Sequence, residues 1–264
     1  MLDELPAHEP SSHDSDPPEN TLEHLLRLAT QQPGRRPEFY RALLDANVWV
    51  LLEGGAAAGR TTLPAGSDIA LVNWPLIDGT FVIPFFTSVL RIREATPERY
   101  DTAQMTGREL FEATRGQSLH LNPLCQYGRA FAPREIEVLL KTGTITNMST
   151  EVTQESRQVV IEPVEEPPSE TLEALNDLYR RTRAVLTAHL VRFCNPAEPG
   201  ASTLVIAIEA ELEDDSVIHD TATVVRETFR RNEMVDLLFV RSTDYGIGQH
   251  IAEHMRPFYQ RAES

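Results

Sequence analysis

The sequence predicts an α+β fold in two domains: a mixed-sheet N-terminal domain followed by a ferredoxin-like C-terminal domain with one extra helix. Three observations carry that prediction. Apolar residues recur at strand period and at helical period by turns in both halves of the 264-residue chain. A polar stretch from Thr144 to Arg157 separates the halves. The second half runs strand, helix, strand, strand, helix, strand, the order of the ferredoxin-like motif. The expected division is a disordered acidic tail over 1–20, a first domain over 21–150 and a second over 151–264.

The tail is expected because residues 1–20 hold six acidic residues, four prolines and neither Lys nor Arg, a composition that repels itself and offers little to bury. Leu22, Leu25, Leu26 and Leu28 then mark one face of a helix. A second helix follows with Phe39, Tyr40, Leu43 and Leu44, and a strand over Asn47 to Glu53. Gly54 to Gly66 reads as a loop; it has no Lys-Ser or Lys-Thr after it and so does not match a phosphate loop. Strands over Ala70 to Trp74 and Thr80 to Ile83 flank Asp78-Gly79, a hairpin signal because both residues tolerate positive φ. Thr106-Gly107-Arg108-Glu109 matches a capping box. Leu119 to Leu121 follows as a strand, then a helix opened by Pro133 and stopped by Gly143.

In the second half, strands are expected over Val159–Val164, Val185–Phe193, Thr203–Leu212 and Val235–Val240. Helices are expected over Ser169–Arg181, Asp215–Phe229 and Ile247–Tyr259. The acidic run from Glu209 to Asp215 lacks the glycine and terminal glutamate of an EF-hand; its acids cap a helix start, where the dipole is positive.

Charge and composition narrow the function classes. Forty acidic residues against 24 basic ones give a net charge of -16. Such a surface repels phosphate backbones and anionic lipid, so neither nucleic acid nor membrane is an expected partner. Arg180, Arg181 and Arg183 form a local basic cluster that reads as a solvated helix end. Lys141 is the only lysine, and any lysine-based mechanism would rest on it. Cys125 and Cys194 belong to no CxxC pattern, and neither a secretory leader nor a spanning segment is legible. The expectation is a cytoplasmic protein without cofactor.

Two segments are the most distinctive: Ile83-Pro84-Phe85-Phe86-Thr87-Ser88, and Leu121-Asn122-Pro123 followed by Phe131-Ala132-Pro133-Arg134-Glu135-Ile136-Glu137-Val138-Leu139-Leu140. With Pro37-Glu38-Phe39-Tyr40, Val48-Trp49-Val50, Gly246-Ile247, Glu253-His254 and Pro257-Phe258-Tyr259, they make the chain resemble the enhanced serine sensitivity (SseB) family. The resemblance covers almost everything after the first twenty residues. It implies a bacterial protein of distinct N- and C-terminal domains, named for an effect on serine tolerance, and a setting in amino-acid or sulfur metabolism.

Candidate sites divide the function classes. His250-Ile251-Ala252-Glu253-His254 has the H-x-x-E-H spacing of inverted zinc peptidases, with both histidines on one helix face; an apolar stripe of Ile247, Ile251, Met255 and Phe258 beside it favours packing instead. Cys125 near His120 suggests a thiol and its base. The favoured set is a recognition face of Phe85, Phe86, Asn122, Tyr127, Arg134 and Glu135. Adjacent side chains on a strand diverge, which would leave Phe85 or Phe86 exposed. The resulting reading is a non-catalytic protein that binds a protein partner or a small metabolite. The alternatives are an enzyme, a metal-dependent hydrolase at His250 and His254 or a thiol enzyme at Cys125, and a secretion-associated or immunity-type binding protein.

Overall fold

The computed structural model describes residues 20–53, 70–76, 79–146, 159–198, 200–230, 233–243 and 246–262. The expected tail (Asn20 apart), the loop over 54–66 and most of the polar stretch over 144–157 lie outside the described residues.

Asn20 caps α1 (Thr21–Gln31) by accepting from the Glu23 amide. A 3₁₀ turn over Pro33–Arg35 leads into α2 (Arg36–Asp45), β1 (Asn47–Leu52), β2 (Trp74–Pro75) and β3 (Phe81–Phe86). The chain continues through α3 (Val89–Ala95), β4 (Asp101–Thr106), α4 (Gly107–Ala113), β5 (Leu119–Leu121), β6 (Arg129–Phe131) and α5 (Pro133–Thr142). The capping box at Thr106 and Glu109 is present in full. Pro133 opens α5, and Gly143 ends it at φ 72°, a conformation that suits glycine. The strands pair in the order β4-β1-β3-β5-β6, with β2 folded back on β3; only β3 and β5 run parallel.

This sheet is covered on both faces. Val48, Val50, Ile83, Phe85, Leu119, Leu121 and Phe131 face α1, α2, α4 and α5 across the main core. Trp49, Leu51 and Phe86 point the other way, onto Val72, Trp74 and Ile92 of α3. Phe85 and Phe86 do diverge, yet both are completely buried. The expectation that one of them stays exposed fails because α3 covers the second face.

The second domain runs β7 (Val160–Pro163), α6 (Ser169–Thr182), β8 (Val185–Cys194), β9 (Ser202–Ala210), α7 (Asp215–Thr228), β10 (Val235–Phe239), α8 (Ile247–His254) and β11 (Tyr259–Gln260). The α+β class and the βαββαβ order with a further helix are as expected. The spatial order differs from the ferredoxin-like arrangement, in which helix-linked strands are separated by another strand. Here β9 and β10, joined through α7, are direct parallel neighbours, and the order is β10-β9-β8, with β7 and β11 pairing successive stretches of β8. The last helix also stops at His254 rather than Tyr259. Pro257 disfavours helix at the residue before it, and the freed chain supplies β11.

Ile206 and Ile208 face α6 and α7, whereas Val205 and Ala207 face Ile251 of α8. The helical faces of the two domains meet: α2 and the Pro33–Arg35 turn pack on α6 and α7.

A buried carboxylate ties α1 to the sheet. Glu23, 7 % exposed, accepts from Thr87 Oγ1 at 2.6 Å, from Ser88 Oγ at 2.9 Å and from the Arg91 guanidinium. Asn122 lies beside it at φ 46°, accepting from the Thr87 amide and donating to its hydroxyl. Thr87, Ser88 and Asn122, which the family resemblance singles out, therefore hold the ends of β3 and β5 against α1. Burial alone would push the Glu23 carboxyl up; hydrogen bonds from Thr87, Ser88 and Arg91, with the arginine charge, outweigh it and hold the group below its ordinary value. A depressed carboxyl contributes stability that is present above its unfolded value near 4.3 and lost as pH falls through the folded one. Glu23→Gln is expected to lower stability at pH 7 by about 2 kcal/mol, with the difference shrinking as the pH approaches 3. Urea denaturation across that range checks it; a difference constant with pH would contradict the role assigned to this charge.

Candidate functional site

The meeting of the two helical faces leaves a cleft of about 400 Å³, lined by Arg36, Tyr40, Arg129 and Glu135 of the first domain and by Arg226, Glu227 and Arg230 of the second, over a floor that includes Leu26 and Phe39. Four arginines face two glutamates. In a chain of net charge -16, this is a local reversal of sign.

Each polar group is placed by a different element. Tyr40 is anchored by its ring, which packs on Phe39 and edge-on to Phe131. Its hydroxyl donates to Glu227 Oε1 at 2.8 Å. Burial first, and the Glu227 charge second, push the phenol up, so it stays a hydrogen-bond donor. Arg36, at the first residue of α2, reaches Glu227 Oε2 at 3.1 Å. Arg129, at the start of β6, lies over the Phe131 ring and reaches Tyr40, Glu227 and Glu135, each at 3.3 Å. Burial pulls its guanidinium down; Tyr40 and the two carboxylates outweigh that and hold it above its ordinary value. Arg226 bridges back to Glu135 at 3.1 Å and to the Ile145 carbonyl. Arg230, just past the end of α7, is exposed and has no hydrogen bond or ion pair to the described residues.

The clamp extends beyond the cleft. Arg41 holds Asp220, 5 % exposed, in a bidentate pair at 2.6 and 3.0 Å. Arg181 reaches Glu38 and the Gly34 carbonyl. Gly34 itself presses on the α6 backbone, where a Cβ would collide with the Ala174 carbonyl.

Of the favoured sequence candidates, Glu135 alone lines this cleft. Asn122 is buried and structural, Tyr127 is half-buried against the main core, and Arg134 is exposed on α5. Phe85 and Phe86 are core. The cleft residues Arg36, Arg129, Arg226, Glu227 and Arg230 were missed, because no spacing in the sequence links residues almost two hundred positions apart. Cys125 directs its Sγ to the Arg91 carbonyl at 3.6 Å, and burial with the nearby Glu94 charge pushes its thiol up to about 11. His250 and His254 stack at 4.5 Å between ring centroids; no group of three metal-capable side chains occurs among the described residues.

Comparison with known proteins decides the family. The model of the SseB protein N-terminal domain matches residues 22–138, and that of the SseB protein C-terminal domain matches residues 152–261. The chain belongs to the SseB family. Proteins named Protein SseB from Escherichia coli strain K12 and from Shigella flexneri are each 34 % identical to it over 242 residues, covering 92 % of both chains. No solved structure matches. Within this SseB-family chain the described helices include none long and apolar enough to cross a membrane.

Gly34→Ala is expected to separate the domains without disturbing either core. Thermal unfolding should split into two transitions, with a larger radius of gyration by small-angle scattering. A single transition at the unchanged temperature would mean that the α6 contact does not govern docking.

Proposed function

We propose that this chain is a non-catalytic, cytoplasmic binding protein whose interdomain cleft receives a small carboxylate-bearing metabolite of amino-acid or sulfur metabolism. The single observation behind this reading is Arg230, a rim cation without a partner among the described residues, beside half-exposed Arg226 in a cleft whose other charges are matched by Glu135 and Glu227. A guanidinium fork matches a carboxylate in two-point geometry. The metabolic setting rests on family membership. The raised Cys125 thiol, protonated at neutral pH, favours binding over thiol catalysis.

One observation favours a protein partner as the second reading. Leu124 is 82 % exposed and held at φ 64°, in the loop between β5 and β6. A leucine strained into the left-handed region and presented to solvent has the form of a preset anchor.

Calorimetric titration of the purified chain with L-serine, L-cysteine and succinate tests the first reading. Saturable binding tighter than about 1 mM is expected for at least one of them, weakened at least about tenfold in Arg230→Glu, the effect of losing one charge-assisted contact. No heat for any of the three, together with a cellular partner captured by the wild type and lost in Leu124→Ser, would replace it with the second.

A further inference from the structure

We propose a second binding site, for a phosphate-bearing small molecule, in the trough between the end of α6 and the terminal strand β11. This trough is separate from the interdomain cleft and shares no residue with it. It encloses about 650 Å³ and is lined by Arg180, Arg183, Leu186, Thr187, Tyr259, Gln260, Arg261 and Ala262. None of these residues is acidic, in a chain where acids outnumber bases by 40 to 24.

The three arginines arrive from opposite ends of the domain sequence. Arg180 lies in the last turn of α6, and Arg183 caps that helix at φ 54°. Arg261 directly follows β11, the strand that pairs with β8, and it donates to the Arg183 carbonyl at 2.9 Å. Its own counter-charge is Glu211 at 2.7 Å, and Glu209 accepts from the Thr187 hydroxyl at 3.2 Å. Arg180 and Arg183 have no side-chain partner among the described residues. The negative end of the α6 dipole accounts for cations in its last turn. It does not account for Arg261, nor for the divergence within the cluster: Arg181 turns away to Asp177, Glu38 and the Gly34 carbonyl, whereas Arg180 and Arg183 face the trough.

Convergent guanidinium groups recognise phosphate through paired N–H donors, and a phosphate dianion satisfies two forks at once. The volume is that of an organic ligand rather than a bare ion, within the roughly 300–1,000 Å³ of ordinary small-molecule sites. Leu186 and Tyr259 give it an apolar floor, and Gln260 and Thr187 add neutral polar groups at the sides. The chain's net charge of -16 repels an extended polyanion, which selects a compact phosphate over a nucleic acid.

The test uses the full chain in 0.15 M salt, with adenosine diphosphate and pyrophosphate as probes and citrate as a carboxylate of comparable charge. Saturable binding of adenosine diphosphate tighter than about 1 mM is expected, with citrate weaker. Replacing both free arginines, Arg180→Gln with Arg183→Gln, should weaken it at least about tenfold, while Arg230→Glu leaves it unchanged. Should the double variant lose its fold, Arg180→Gln alone, an exposed change, should still weaken binding about threefold or more. Absence of saturation by either phosphate, equal affinity for citrate, or wild-type affinity in the arginine variants would overturn the proposal. Loss in Arg230→Glu alone would place the phosphate in the interdomain cleft and overturn it as well.

Discussion

The carboxylate of Glu227 sits in the second domain, and its partners are all in the first. Tyr40 donates to one oxygen, Arg36 reaches the other, and Arg129 closes the group from the side. With a side chain 11 % exposed, this charge has little water to fall back on, and removing a buried charge's partners leaves a desolvation penalty that nothing offsets. Domain docking is thus the condition under which Glu227 is satisfied. The same holds for Asp220 and its bidentate Arg41.

This constraint arranges everything else. It brings α2 and the Pro33–Arg35 turn against α6 and α7, so the helical layers of both domains lie between their two sheets. The apolar cores are completed within each domain, which leaves polar and ionic contacts to decide how the domains sit. Interfaces of that kind are typical between domains that keep separate cores. The cleft is what remains where the clamp's charges do not fully cancel, with Arg230 left over at its rim.

How much of this was legible in the sequence depended on the range of the interactions involved. The capping box at Thr106 and Glu109, Pro133 at a helix start and Gly143 at its stop act within a few residues and were readable. The βαββαβ order was readable for the same reason. The placement of β10 beside β9 was not, since strand order is set by how α7 packs and periodicity is silent on that. Strand β4 and helix α3 escaped because Asp101–Thr106 carries few apolar residues and Val89–Ala95 is short. Phe85 and Phe86 were correctly sent to opposite faces, but whether the second face is covered depends on α3. Thr87, Ser88 and Asn122 stood out as distinctive, and in the structure Thr87 and Ser88 seat Glu23 while Asn122 holds Thr87. The cleft joins side chains from residue 36 to residue 230, a range over which no sequence pattern acts.

The most direct test of the central claim is a double-mutant cycle on Tyr40→Phe and Glu227→Gln, followed by urea denaturation of the full chain. If Glu227 locks the domains through Tyr40, the two changes should be non-additive, with a coupling of about 1 kcal/mol or more, and Glu227→Gln alone should sharply reduce cooperativity between the domains. Effects that add within about 0.3 kcal/mol, with a single unfolding transition kept in Glu227→Gln, would show that the domains are held by something other than this carboxylate.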